Sequence, residues 1–152
     1  MPIPNPAFVD ELIERVNTSP FPAHMAMQLK AIAYDHAVVG LITGTCHLQP
    51  YGIVHGGVLA TLIDTATFWA AFLRLPDGDG LVNIDLKLNY LKPVVDGLLT
   101  ATGRCLRAGR TLSYAEAEVT DADGQLVAHG TSTLMALPGK GLAITAPKFV
   151  NG

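Results

Sequence analysis

Charged side chains are scarce in this chain of 152 residues: Asp, Glu, Lys and Arg make up 15%, against about 25% in an average soluble domain. The net charge is −3, so the chain lacks the basic excess by which nucleic-acid-binding domains are recognised. Hydrophobic residues make up 49%. A single domain with so little charge is expected to bury much of its surface in an oligomer.

Cysteine is scarce as well, since only Cys46 and Cys105 occur and no CxxC pair is present. This usage predicts a reducing, cytoplasmic setting. The histidines have neither an HxxxH spacing nor a cysteine partner at two to four residues, so we predict no metal site and no cofactor. The histidine positions are His24, His36, His47, His55 and His129. A GxSxG nucleophile motif and a phosphate-binding loop are also missing.

Targeting and membrane-spanning signals are not found. The first sixteen residues have no basic region followed by an apolar one, so we expect no secretory signal peptide. The most apolar stretch, 55–73, has Asp64 near its centre together with three threonines and two glycines. A central Asp opposes membrane insertion by about 2.5–3.5 kcal/mol, so we predict no transmembrane helix.

The spacing of apolar residues predicts one α+β domain. Residues 1–24 form an N-terminal helix and lead-in, 25–138 form the domain, and 139–152 form a loose tail. A helical period marks two segments and strand-like patterns mark six. These are helices at 7–17 and 56–74, and strands at 27–35, 38–45, 81–91, 98–107, 111–121 and 125–137.

Two of these elements define the architecture. The helix at 56–74 is apolar nearly all round, which is typical of a buried central helix. In 81–91 the apolar residues occupy even positions from Val82 to Tyr90, and polar residues such as Asn83 occupy odd ones, so we expect a single half-buried strand. The sequence therefore predicts a curved antiparallel sheet wrapped around one long central helix.

The central helix also carries the strongest functional signal. Asp64 is the only ionisable residue between Gly56 and Leu73, and a buried carboxylate is costly unless it is paired. The helix start at Gly56 presents unpaired N–H groups and the positive end of the helix dipole. Together they suggest acyl transfer: Gly56 N–H polarises a carbonyl, and Asp64 attacks it or deprotonates a water that does.

The spacing of these two residues has a consequence for assembly. Gly56 and Asp64 are eight residues apart, about 12 Å along a helix, whereas both must lie within about 3 Å of the reacting group. One chain therefore cannot serve one carbonyl with both. A symmetric dimer with antiparallel central helices would bring Asp64 of one chain to Gly56 of the other.

A longer motif surrounds these residues. The segment 49–64, QPYGIVHGGVLATLID, closely resembles the signature of hotdog-fold acyl-CoA thioesterases of the phenylacetate-degradation (PaaI-like) type, in the 4-hydroxybenzoyl-CoA thioesterase superfamily. The segments 82–86, 90–93, 109–110 and 123–128 resemble a strand and later turns of that family. The resemblance covers roughly residues 25–137.

The resemblance implies a hotdog fold, hydrolysis of an acyl-CoA thioester without a cofactor, and a homotetramer built as a dimer of dimers. Gln49 would assist Gly56 in polarising the carbonyl, with Asp64 of the partner as nucleophile or general base. Asn83 stands where many members have a small hydroxyl residue that orients the water. His55 is a catalytic candidate, although fixing the loop by hydrogen bonds is the commoner role.

Candidate substrate contacts follow the same pattern. Gly57 adjoins the oxyanion donor, while Phe68 and Trp69, with Phe72, would line an acyl pocket unless they are plain core residues. Half of the ten basic residues lie in 87–110, which indicates either an anionic ligand site or a solvated strand face. The proposed contacts to the CoA phosphates are Lys92, Arg107 and Arg110.

Two alternatives remain at the level of sequence. A hotdog hydratase would need a catalytic histidine suitably placed relative to the acid, and only His55 precedes Asp64. A non-catalytic acyl-CoA sensor would be expected to lose the acid, which this chain keeps. The acyl group stays open between aromatic, short and medium-chain types.

Overall fold

The computed structural model describes residues 1–150 and consists of a curved seven-stranded antiparallel sheet packed against one long helix. The helices are α1 (Pro6–Asn17), α2 (Pro20–Met25) and α3 (Gly56–Phe72). The strands are β1 (Met27–Ala33), β2 (His36–Ile42), β3 (Gly80–Asn83), β4 (Lys87–Tyr90), β5 (Leu98–Ala108), β6 (Leu112–Thr120) and β7 (Leu126–Leu137). The strand order is β1-β2-β5-β6-β7-β3, and β4 also pairs with β7. The predicted hotdog α+β fold is confirmed.

The core lies between α3 and the concave face of the sheet. Side chains of α3 such as Leu62 and Ile63 are fully buried. Strand β5 approaches the helix most closely at Gly103, where an added Cβ would lie 2.1 Å from the carbonyl oxygen of Ala66. Only glycine lets the strand and the helix backbone meet at this distance.

One stripe of α3 is not covered by the sheet, which corrects the prediction of a helix buried on all sides. The stripe consists of Gly57, Ala60, Thr61, Asp64, Thr65 and Phe68, all of which are partly or fully accessible in the single chain. These residues recur at i, i+3 and i+4, so they form one continuous face. The hydrophobic pattern could not predict this accessible face, because a face of small residues is compatible both with burial under the sheet and with burial against a second chain.

The strand predicted over 81–91 is broken by a bulge into β3 and β4. Asn83 pairs with Leu134 and Lys87 pairs with Thr131, so the three residues 84–86 oppose only two residues of β7. One extra residue reverses the side-chain alternation. Asn83 therefore faces α3 rather than solvent, while Val82 is 37% exposed.

Both terminal segments are more ordered than the sequence suggested. A short helix, α2, begins at Pro20, a position where proline is well tolerated, whereas the sequence predicted only a helix stop there. The segment from 139 to 150 was predicted to be loose, but it packs against α1. The carboxylate of Glu11 accepts hydrogen bonds from the N–H of Thr145 at 2.9 Å, and Lys148 is 5% exposed.

Candidate active site

In the first turn of α3 the backbone donor of Gly56 is unused. The N–H of Gly57 donates to Nδ1 of His55 at 2.8 Å, and the N–H of Val58 donates to the His55 carbonyl at 2.9 Å. Within residues 1–150, the N–H of Gly56 has no hydrogen-bond acceptor. A free donor at the positive end of a helix is suited to binding a developing oxyanion.

His55 is therefore the N-cap of α3, with its ring nitrogen satisfying the second helical N–H. This contact supports the loop-fixing role rather than proton transfer, and it occupies the Gly57 N–H that was considered for substrate binding. The preceding loop is held by His47, which the sequence did not single out. Its Nε2 lies 2.8 Å from the Met25 carbonyl oxygen, and its own carbonyl accepts from the N–H of His55 at 2.9 Å.

Tyr90 is a second residue that the sequence did not identify as part of this site. Its ring lies directly over Gly56, where an added Cβ would come within 2.8 Å of the ring carbon that carries the hydroxyl. A side chain at position 56 would therefore force the Tyr90 ring to shift away from the helix start. Tyr90 belongs to the predicted apolar face of 81–91; the alternation could not predict that Asn83, at an odd-numbered position, also faces the helix.

Gln49 and Lys92 complete the cleft around Gly56. The cleft has a volume of about 420 Å³ and is also lined by Tyr90 and Leu91. The side-chain oxygen of Gln49 accepts from the N–H of Tyr51, which orients the amide and leaves its NH2 group as a potential donor. The structure therefore brings Gln49 and Gly56 together in one chain, as the motif requires.

Asp64 lies outside this cleft, on the accessible face of α3. Burial raises the pKa of its carboxyl above the ordinary Asp value. No partner for its carboxylate occurs in the described part of the chain. It borders a separate cavity of about 380 Å³.

Aromatic side chains form one wall of the Asp64 cavity. Phe68 and Trp69 meet edge to face at a centroid distance of 4.7 Å, and Trp69 meets Phe72 at 5.0 Å. All three residues line the cavity, although Trp69 and Phe72 also belong to the core. These residues therefore line a cavity and contribute to the core at the same time.

Asn83 is next to Asp64, but its amide is occupied. Its Nδ2 lies 3.3 Å from the Asp64 carbonyl oxygen and 2.9 Å from Oγ of Ser132. Ser132 Oγ in turn donates to the Asp85 carbonyl oxygen at 2.7 Å. These contacts tie β3 and β7 to the helix turn that carries Asp64, so Asn83 positions that turn.

The basic residues do not form one patch in a single chain. Lys92 lines the Gly56 cleft and its Nζ donates to Asp121 at 2.7 Å. Arg107 and Arg110 are exposed at the β5–β6 turn, at the opposite end of the sheet. Strand β6 separates the two ends by roughly 26 Å at 3.3 Å per residue.

Within residues 1–150, no helix is both long and apolar enough to cross a membrane. In the same range, no three His, Cys, Asp or Glu side chains converge as a metal site.

Comparison with known proteins places this geometry in a family. The family model described as the thioesterase superfamily matches residues 51–128, just over half of the chain, including Gly56, Asp64 and Tyr90. Acyl-coenzyme A thioesterase 13 of Mus musculus is 32% identical over 89 residues, which cover 57% of this chain and 63% of that protein.

Solved structures share the fold of this chain. AziG of S. sahachiroi is 33% identical with a TM-score of 0.74, covering 79% of this chain and 98% of that one. A thioesterase of Haemophilus influenzae has a TM-score of 0.82 over 94% of this chain and 99% of that one; at 22% identity it shows the fold alone. The chain therefore belongs to the thioesterase superfamily, and it is a thioester hydrolase with the hotdog α+β fold.

Proposed function

We propose that this protein hydrolyses acyl-CoA thioesters at sites shared between two protomers. The observation that carries the proposal is the separation of two complementary groups: a free Gly56 N–H in one cleft and an unpartnered Asp64 in another. In the overall reaction, the oxygen of water bonds to the acyl carbon and the C–S bond breaks. CoA leaves as the thiol with one proton, and the acyl group leaves as the acid.

The accessible stripe of α3 supports the sharing. If two α3 helices pack antiparallel so that Asp64 of each meets Gly56 of the other, the two-fold axis passes beside Ala60, midway between them. The stripe around Ala60 contains only small or short side chains from Gly57 to Thr65. Small residues let two helix backbones approach closely, as this arrangement requires.

The outer edge of β3 supports the same dimer. Strand β3 pairs only with β7 in the described chain, and next to it Ile84 is 52% exposed. An unpaired edge with apolar side chains is a template for strand pairing. Pairing of β3 with its symmetry mate would continue the sheet across the dimer and set the two α3 helices antiparallel.

Electrostatics give the two groups their roles. Gly56 N–H and the helix dipole would stabilise the oxyanion, an effect worth about 10²–10³ in rate for one donor. The raised pKa of Asp64 makes its carboxylate a stronger base and nucleophile than an exposed Asp. Gln49 would donate a second hydrogen bond to the same oxyanion, and Asn83 would hold the Asp64 turn in place.

The remaining expectations fit this proposal. Lys92, beside the Gly56 cleft, would contact a CoA phosphate of the substrate bound there. Arg107 and Arg110 would contribute only from another protomer, which agrees with a homotetramer made of two dimers. The free thiols Cys46 and Cys105 agree with a cytoplasmic enzyme.

The test is thiol release from acyl-CoAs of two to sixteen carbons, and from phenylacetyl-CoA and benzoyl-CoA. Wild type is compared with Asp64→Ala and with Asp10→Ala, which removes an exposed carboxylate on α1. We expect hydrolysis by wild type and Asp10→Ala, and a loss of at least about 10²-fold in kcat for Asp64→Ala. If wild type binds acyl-CoA without hydrolysing it, the proposed acyl-CoA hydrolysis is refuted and a non-catalytic acyl-CoA sensor is favoured.

A further inference from the structure

The Asp64 cavity runs along α3 and away from the proposed reaction centre. Asp64 and Thr65 lie at one end, Phe68 in the middle, and Phe72 at the other. Asp64 and Phe72 are eight residues apart, so this wall is about 12 Å long. The lining is mostly apolar, although Arg15, Ser19 and Lys140 also border the cavity. Such a lining suits a hydrocarbon chain attached to a carbonyl at the Asp64 end.

The far end of this cavity is built by the C-terminal segment. Leu142 lines both the Asp64 cavity and a second cavity of about 300 Å³, whose wall includes Phe8 and Ile144. Phe72 also borders both cavities, but it belongs to the core helix. Leu142 is therefore the side chain outside the hotdog domain that separates the two spaces.

The segment that carries Leu142 is fixed at several points. The N–H of Gly141 donates to the Gly78 carbonyl at 2.9 Å, and the N–H of Thr145 donates to the Glu11 carboxylate. Farther along, Nζ of Lys148 donates to the Leu75 carbonyl at 2.8 Å. These bonds anchor the backbone of the segment on both sides of Leu142.

Resting on the proposed acyl-CoA hydrolysis, we propose that the Asp64 cavity binds straight-chain acyl groups of about eight to ten carbons and that Leu142 sets this limit. An extended peptide residue has three backbone bonds and spans about 3.6 Å, so an extended chain advances about 1.2 Å per bond. The 12 Å wall thus accommodates roughly ten bonds. Longer chains would meet Leu142.

The first measurement is kcat/KM for straight-chain acyl-CoAs of four to sixteen carbons. For wild type we expect a rise of about fourfold per methylene, equivalent to about 0.8 kcal/mol, up to eight to ten carbons, and a fall beyond. Leu142→Ala joins the two cavities, so tetradecanoyl-CoA should gain at least about tenfold relative to octanoyl-CoA. Leu142→Phe should shift the optimum to shorter chains.

The control is Leu112→Ala, which truncates a leucine of similar exposure, 48% against 44% for Leu142, at the β5–β6 turn. It should keep the wild-type length profile. An identical profile for wild type and Leu142→Ala, with thermal unfolding showing both to be folded, would refute the role of Leu142. A wild-type optimum at four or at sixteen carbons would refute the proposed limit of eight to ten carbons.

Binding separates this inference from the proposed reaction. Trp69 is the only tryptophan and lines the Asp64 cavity, so its fluorescence reports occupancy. Straight-chain fatty acids of six to sixteen carbons are titrated into wild type and Leu142→Ala. If wild type hydrolyses no thioester, the proposed function fails. The inference about Leu142 is still supported if the affinity for fatty acids peaks at eight to ten carbons and the peak shifts in Leu142→Ala. Affinity independent of length in both proteins overturns it.

Discussion

Hybrid dimers test the shared site most directly, because the two halves of the chemistry can be removed from different chains. Asp64→Ala removes the carboxylate, and Gln49→Ala removes a donor from the Gly56 cleft. In a hybrid of the two variants, one site combines both substitutions and the other combines an intact Asp64 with an intact Gln49. If the site were contained in one chain, every chain of the mixture would carry one defect.

The expected activity follows from symmetry. Each hybrid has one intact site of two, so the isolated hybrid should have about one half of wild-type activity. Random association of equal amounts gives half of the dimers as hybrids, so the unseparated mixture should regain about one quarter. The parents are each expected at about 1% or less, since removal of an oxyanion donor costs about 10²–10³. The predicted recovery is thus at least about twentyfold above the parents.

The assay needs verified exchange of subunits. The two variants carry different tags, are unfolded and refolded together, and the hybrid is isolated by sequential affinity steps before thiol release is measured. A hybrid of two differently tagged Asp64→Ala chains controls for activity gained by refolding. A purified Asp64→Ala/Gln49→Ala hybrid that hydrolyses no faster than its parents would refute the shared site and with it the antiparallel packing of α3.

Three other variants probe the fold and the roles of single residues. Because burial raises the pKa of Asp64, the wild-type free energy of unfolding should fall as pH rises from the ordinary Asp pKa through the raised one, and Asp64→Asn should lack this fall. Thermal unfolding of both proteins at pH 4 and pH 7 measures the change, and an equal change in wild type and Asp64→Asn would contradict the prediction. His55→Ala removes the helix cap and should cost about 1 kcal/mol of stability in urea unfolding while kcat stays within about tenfold; a loss near that of Asp64→Ala would instead assign it a proton-transfer role. Gly103→Ala should destabilise the fold by about 1–3 kcal/mol, because its Cβ would overlap the Ala66 carbonyl; an unchanged urea midpoint would show that β5 can move away from α3.

The sequence predicted the central helix and the last three strands best. The helix from Gly56 and the strands of the sheet after residue 97 agree with the structure to within one or two residues at each end. The relative placement of Gly56 and Asp64 was predictable as well. The position of a glycine pair before an apolar helix, and the fixed rise of that helix, determine where Gly56 and Asp64 lie relative to each other.

The break between β3 and β4 could not be predicted from the alternation of apolar and polar residues. Residues 81–91 alternate without interruption, yet one residue is inserted in the pairing with β7, because Asp85 accepts the Thr133 N–H at 2.7 Å and Ser132 donates to the Asp85 carbonyl. Such a bulge depends on contacts with a strand forty residues later. The bulge places both Asn83 and Tyr90 on the side of the sheet that faces α3, which a strictly alternating strand could not do for an odd-numbered and an even-numbered residue.

The depth of the acyl cavity depends on contacts even more distant in sequence. The proposed chemistry rests mainly on one helix and its preceding loop, residues 49–64. The proposed length limit rests on Leu142, and the segment that carries Leu142 is held by Glu11 of α1, more than a hundred residues away. On these proposals, reaction type and acyl length are set by separable parts of the chain. Substitutions at the terminal segments should change which thioester is cleaved while leaving the machinery at Gly56 and Asp64 intact.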